Sequence, residues 1–140
     1  MKTVVFAGVV TMTLAATGFA GIGEDEKQIE TRYGKAGKDL GGHGEVHDVG
    51  YVSNGFMIVV SFVNGVSQRE GFTKPDTSPM SDQNIKDILG ISAAEGTSWQ
   101  EGQAQGGDKM WNRSDKKAVA IFPSMGKFLF VQDVNFVQPK

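Results

Sequence analysis

Residues 51–66 read YVSNGFMIVVSFVNGV, and this stretch decides the fold. Two Asn-Gly pairs, Asn54-Gly55 and Asn64-Gly65, separate runs that are rich in β-branched and aromatic residues. Asn-Gly is the strongest short-range hairpin signal, because a type I′ turn needs a positive φ at both central residues. The pattern predicts an antiparallel meander of three strands, at residues 45–52, 56–63 and 66–73.

The middle strand is apolar on both faces. Successive side chains of a strand point to opposite faces. One face carries Phe56, Ile58, Val60 and Phe62, and the other carries Met57, Val59 and Val63. This pattern is typical of a central strand that is covered on both sides. The third strand carries Gln68, Arg69 and Glu70, so we expect water on one of its faces.

Helical patterns precede and follow this meander. Residues 22–33 contain three acidic residues that suit the positive end of a helix dipole, and Gly34 suits the position after the helix. Ser81 is a typical N-cap for a second helix, which Gly90 would end. The glycine-rich residues 34–44 predict a flexible loop. Three shorter strands are predicted after the second helix, at residues 109–113, 117–122 and 127–131.

These elements place the chain in the α+β class. We expect an antiparallel sheet of hairpins with two helices packed on it, in the order α-β-β-β-α-β-β-β. The two halves share this order of elements but not their residues, so a structural repeat is an open alternative. The predicted core residues are Ile29, Tyr33, Ile58, Val60, Phe62, Ile85, Leu89, Val119, Ile121 and Leu129.

The first twenty residues have the pattern of a secretory signal peptide. Lys2 gives a short positive start, and residues 4–16 are uncharged and apolar apart from Thr11 and Thr13. Gly18 and Ala20 are the small residues expected before a cut that precedes Gly21. The apolar segment is short for a membrane span and is followed by acidic residues, so we expect no stable membrane anchor after cleavage. The alternative is an uncleaved N-terminal anchor.

The mature chain is free of cysteine and slightly acidic. Without cysteine it forms no disulfide, has no thiol nucleophile and lacks the attachment point of a bacterial lipoprotein anchor. Removing residues 1–20 takes away Lys2 and no acid, which leaves 13 basic and 16 acidic residues and a formal charge of −3. Nucleic acid is therefore not an expected partner, since it requires a basic face. We expect one domain, residues 21–140, in a bacterial periplasm or the extracellular medium.

No catalytic or metal-binding motif is recognisable in the sequence. His43 and His47 are its two histidines, and they frame Glu45 in an order that matches no zinc-protease motif. In a strand, residues four apart lie about 13 Å apart, which is too far to share one metal. There is no G-x-S-x-G motif. We therefore expect no catalytic residue, no metal and no cofactor, with metal capture by the two histidines as the weakest alternative.

Trp99, Trp111 and Arg113 form the candidate partner-binding set. The two tryptophans flank a glycine-rich loop, and period two puts Trp111 and Arg113 on the same face of a strand. Tryptophan and arginine are typical anchors of binding surfaces. The alternative is that both rings close the core over the second helix, because large aromatic side chains are mostly buried.

Residues 29–35, IETRYGK, resemble the opening helix of a family of small exported bacterial proteins of unknown function. In that family a helix ending in Arg-Tyr-Gly-Lys-Pro precedes a hairpin-rich sheet, a second helix and a tryptophan. The order is similar here, although Ala36 stands where proline is usual. More distantly, the layout resembles the α+β modules of β-lactamase-inhibitor-like and outer-membrane-assembly lipoproteins. That likeness implies a role in binding other proteins, without the lipid-anchor cysteine.

The sequence thus favours an exported, non-catalytic binding module whose partner is another envelope or extracellular protein. The alternative is a small exported hydrolase whose site forms only in the fold. Enzymatic activity is not expected, but the sequence leaves it open.

Overall fold

A computed structural model describes residues 21–137 as two helices and one eight-stranded antiparallel sheet. The helices are α1 (Glu26–Tyr33) and α2 (Asp82–Ile91). The strands are β1 (Lys38–His43), β2 (Val46–Ser53), β3 (Phe56–Val63), β4 (Val66–Thr73), β5 (Trp99–Gly102), β6 (Lys109–Arg113), β7 (Ala118–Phe122) and β8 (Phe128–Asp133). The predicted signal peptide, residues 1–20, and residues 138–140 lie outside the described residues.

The strand order across the sheet is β1-β2-β3-β4-β8-β7-β6-β5. Each half of the chain is a helix followed by a four-stranded meander, and the two meanders join where β4 pairs with β8. Both halves therefore have the same order of elements, and each contributes its last strand to the centre of the sheet.

The predicted antiparallel sheet with two helices is present, but each half has four strands and not three. The sheet dominates the molecule, so the α+β class describes it only loosely. One additional strand is β5, and the other is β1, in the segment for which we expected a flexible loop. Every residue of β1 is exposed, and the strand exists because β2 supplies its hydrogen-bond partners.

Helix α1 begins later than the sequence predicts. Asp25 is its N-cap, because the Asp25 side chain accepts a hydrogen bond from the backbone of Gln28 and the Gln28 side chain accepts one from Asp25. The residues before the cap lie along β4 instead, where the Gly23 nitrogen donates to the Ser67 oxygen at 2.8 Å. Helix α2 begins after Ser81, as predicted, but it does not end at Gly90: it continues to Ile91, and Ser92 is its C-cap.

Both predicted Asn-Gly turns are confirmed by their backbone angles. Asn54 and Gly55 have φ values of 53° and 79°, and Asn64 and Gly65 have values of 51° and 77°. Two consecutive positive φ values define the type I′ turn, whose twist matches that of the flanking strands. The β2–β3 and β3–β4 hairpins follow from these two turns.

Both helices pack on the same face of the sheet. Residues of α1 and α2 share one buried cluster with inward-facing residues of β2, β3, β4, β7 and β8. The predicted core residues that are buried are Ile29, Tyr33, Ile58, Val60, Phe62, Ile85 and Leu129. Leu89 is half-buried and packs against the same cluster.

The prediction that Val119 and Ile121 are core residues is wrong. In β7 the fully buried positions are Ala118 and Ala120, so Val119 and Ile121 lie on the opposite face. Alternation along Ala118–Phe122 is ambiguous because every residue there is apolar, and a shift of one residue moves every side chain to the other face.

Candidate functional site

The face of the sheet opposite the helices is called the open face here. Strand pairing puts Val59, Gly71, Phe130, Ile121 and Met110 in one row across it. Both described helices pack on the other face, so within residues 21–137 no helix covers this row. The prediction that β3 is covered on both sides is therefore wrong.

Apolar side chains are exposed along the open face. A second row pairs Val52 with Met57, Met57 with Thr73 and Thr73 with Phe128. Val52 is 68% exposed, Met57 43% and Phe128 38%. Contiguous exposed apolar residues on a folded domain mark interaction sites more often than isolated ones do. The open face is therefore the first candidate for a functional surface.

An aromatic and cationic stack lies at the middle of the open face. The Phe130 ring lies over Gly71, where a Cβ atom would stand 3.2 Å from the ring. The rings of Phe128 and Phe130 are stacked, with centroids 6.0 Å apart and an interplanar angle of 10°. The guanidinium carbon of Arg69 lies 4.0 Å from the Phe130 centroid. Glycine in β4 thus gives the phenylalanine of β8 room to lie flat beneath the arginine.

Arg69 has no carboxylate partner among the described residues. The four ion pairs within residues 21–137 involve other cations. Partial burial lowers the pKa of Arg69, and the charge of Asp48 opposes that effect. A half-buried guanidinium stacked on an aromatic ring and free to form a bidentate pair is a strong recognition element for a carboxylate.

The three predicted binding residues lie on the helix side of the sheet. The Trp99 ring nitrogen donates to the Leu89 oxygen at 2.9 Å. Arg113 is 2% exposed, and its Nε donates to the Asp115 carboxylate at 3.0 Å. Trp111 is half-buried and lines a cleft of about 280 Å³ beside α2 with Lys109.

The structure brings two of these residues directly together. Trp99 pairs with Arg113 across β5 and β6, and the guanidinium carbon lies 5.9 Å from the tryptophan ring centroid. Trp111 lies two residues before Arg113 on β6, so the two side chains share a face of the strand, as the alternation of side chains predicts. The contacts of Trp99 and Arg113 are made within the chain, and their role in partner binding stays a prediction.

Sequence reasoning missed Glu70, which is 0% exposed at the centre of the helix-covered face. The Tyr33 hydroxyl donates to Glu70 Oε1 at 2.9 Å, while Oε2 is buried and has no hydrogen-bond partner in the described part of the chain. Burial raises the pKa of Glu70 to about 8, and the Tyr33 hydrogen bond and the charge of Arg32 act in the opposite direction. The signal that could have identified it is the alternation of side chains along β4. Glu70 lies two residues before Phe72, so the two side chains point to the same face of the sheet.

A carboxyl group with a strongly raised pKa is a candidate catalytic group. Glu70 is not accessible to a substrate in this conformation, because it is fully buried. Two clefts lie beside α2, of about 600 and 280 Å³, and Glu70 lines neither of them. The described geometry therefore gives Glu70 no route to a reacting molecule.

The histidines lie on the first two strands of the sheet, His43 on the edge strand β1 and His47 on β2. His47 Nε2 is 2.9 Å from Asp39 Oδ1, and this hydrogen bond raises the pKa of His47. His43 pairs with Val46 at the end of β1. In the part of the chain that the structure describes, no group of three or more histidine, aspartate or glutamate side chains could hold a metal ion.

Comparison of the chain with protein-family models, curated proteins and solved structures finds no match. The family resemblances drawn from residues 29–35 and from the layout therefore stay predictions. None of the helices within residues 21–137 has both the length and the apolar character that a membrane span requires.

Proposed function

We propose that the chain is exported to the periplasm or the medium and acts as a non-catalytic binding module for another protein. The observation that carries this proposal is the open face, where exposed Val52, Met57 and Phe128 border a stack of Arg69 on Phe130. Export rests on the signal-peptide pattern of residues 1–20.

The chemistry of the open face favours a protein partner with a carboxylate set among apolar side chains. Arg69 offers a cation that forms no ion pair with a described carboxylate, although the charge of Asp48 acts on it, and the apolar rows beside it would exclude water from a docked surface. Arginine and aromatic residues are enriched among the residues that dominate binding energy. A charge pair formed in such surroundings is worth more than one exposed to water.

The proposal is tested by affinity capture with the processed chain. We would immobilise the protein, pass envelope and culture-medium extracts of the native host over it, and identify saturably bound proteins by mass spectrometry. Arg69→Glu is expected to weaken binding of the captured protein about tenfold or more, because it turns the attraction for a carboxylate into repulsion. Arg69→Gln should weaken it less.

Lys86→Glu is the matched control, since it makes the same change of charge at an exposed position of α2. It should bind the partner as the natural chain does. A captured protein that binds Arg69→Glu and the natural chain equally, or that is lost only on changing Lys86, Trp99 or Trp111, would place the binding surface on the helix side and contradict the proposal.

The alternative, a small exported hydrolase, is not favoured by a specific observation. Its best candidate group, Glu70, is buried beneath the helices. Hydrolytic activity that is lost on a single polar substitution in one of the α2 clefts would support it over the binding module.

A further inference from the structure

Gly21, the first described residue, lies directly against the buried carboxylate of Glu70. A Cβ atom at Gly21 would have the three carboxyl atoms of Glu70 within 2.6 Å, so a residue with a side chain does not fit there. Gly21 also has a φ of +69°, which favours glycine. Standard backbone dimensions then put its nitrogen within about 5 Å of the carboxylate.

The position of Gly21 is fixed by the strand that carries Glu70. The Ser67 hydroxyl donates to the Gly21 oxygen, and the Glu24 nitrogen donates to the same hydroxyl group at 3.0 Å. Ile22 is 5% exposed and belongs to the core cluster. These contacts hold the start of the predicted mature chain inside the molecule and beside β4.

Within residues 21–137, no cation forms an ion pair with Glu70. Tyr33 donates a hydrogen bond to one of its oxygens, and the charges that act on it are those of the Arg32–Glu24 ion pair, in which Arg32 Nε lies 3.1 Å from Glu24 Oε2. Its strand neighbours in the same row, Val60 and Val131, are apolar. The second carboxylate oxygen is buried and accepts no hydrogen bond from any described residue.

Cleavage before Gly21 would supply the missing cation. Signal peptidase adds water across the peptide bond between Ala20 and Gly21, which gives Ala20 a carboxylate and Gly21 an α-amine that takes up a proton. We propose that this α-ammonium group pairs with Glu70, so that the mature protein holds a buried ion pair that the precursor cannot form. The inference rests on the proposed export with cleavage at this bond.

The first test compares two exported chains. One has the natural sequence, and the other carries a single glycine inserted between Ala20 and Gly21, which moves the new amine one residue along the chain. The natural mature protein should melt about 5 °C or more above the inserted one, because a buried carboxylate without its cation destabilises the fold. In a Glu70→Gln background, which keeps the size of the side chain, the difference should fall below about 1 °C.

The second test measures the reactivity of the α-amine and does not depend on the stability of the fold. The α-amine of the folded natural protein should react with an acylating reagent near pH 8 about tenfold more slowly than that of Glu70→Gln, because an ion pair raises the pKa of an amine. The lysine side chains of the two proteins should react alike and serve as the internal control.

Three results would overturn the inference. Equal acylation rates would show that the amine does not pair with Glu70, and so would a melting difference that persists in Glu70→Gln. Mass spectrometry of the exported natural protein must also find Gly21 as its first residue. A different first residue contradicts the predicted cleavage site itself, whereas the first two results leave export and partner binding intact.

Discussion

Arg69 and Glu70 are neighbours in β4, and the strand turns them to opposite faces of the sheet. Arg69 stacks on Phe130 on the open face, whereas Glu70 lies under α1 with Tyr33. The sequence predicted water on one face of this strand, but it did not indicate which of the two residues lies on that face. Charge alone cannot tell which of two adjacent polar residues turns inward, since the answer depends on the bulge that β4 forms between its pairs with Ser61 and Phe62.

Glu70 makes stability depend on pH when the Gly21 nitrogen is part of a peptide bond. Its pKa is about 8 in the folded chain and near 4.5 when exposed, so the folded chain keeps a proton that the unfolded chain loses between these values. Stability should therefore fall as pH rises from about 5 to 8, by roughly 3 kcal/mol. Denaturant unfolding of a chain extended before Gly21 measures this loss.

Glu70→Gln in the same extended chain is the control for this pH dependence. It should remove most of the fall, because glutamine does not titrate. Equal pH dependence of the two extended chains would contradict the assignment of a proton to Glu70 in the fold.

Elements with local signals could be predicted from the sequence, and elements that depend on a neighbour could not. The Asn54-Gly55 and Asn64-Gly65 turns were predictable because a type I′ turn is encoded by the two residues that form it. Strand β1 was missed because its glycines give no strand signal and its hydrogen bonds come from β2. Helix α1 was predicted too long because residues 22–25 are held by β4.

The two faces of β3 differ in what they contribute to stability. Val60 is 0% exposed in the core, whereas Val59 beside it lies on the open face. Val60→Ala should lower the free energy of unfolding by about 2–3 kcal/mol, because it leaves a cavity under the helices. Val59→Ala should lower it by less than about 1 kcal/mol, because its side chain is already partly in water. Urea titrations of both variants measure this.

Both variants replace valine by alanine in the same strand, so the change of side chain and the change in strand propensity are the same, and only the face of the sheet differs. Equal losses at Val59 and Val60 would mean that the open face is covered in solution as closely as the helix face. The loss of stability at Val60 is expected to be clearly larger than the loss at Val59.

For the whole molecule, the decisive feature is the pairing of β4 with β8, which joins two meanders into one sheet. This contact brings Gly71 against Phe130 although the two residues are far apart in sequence, and no local sequence pattern predicts the contact. Of the predicted binding residues, Trp111 and Arg113 could be placed on one face from strand periodicity, whereas the pairing of Trp99 with Arg113 could not, because strand β5 was not predicted. The open face could not, because it exists only after the two halves meet and both helices take the other face.

The central claim is that a partner protein docks on the open face. The most direct test is oxidative footprinting of the processed chain, alone and with its captured partner. Methionine, phenylalanine and tryptophan side chains are all oxidised when they are exposed, so the oxidation of each one shows whether the partner covers it. We expect the partner to protect Met57, Phe128 and Phe130 while the oxidation of Trp99 and Trp111 is unchanged. Protection of Trp99 and Trp111, with Met57 and Phe128 still reactive, would contradict docking on the open face. It would place the binding site on the helix side of the sheet.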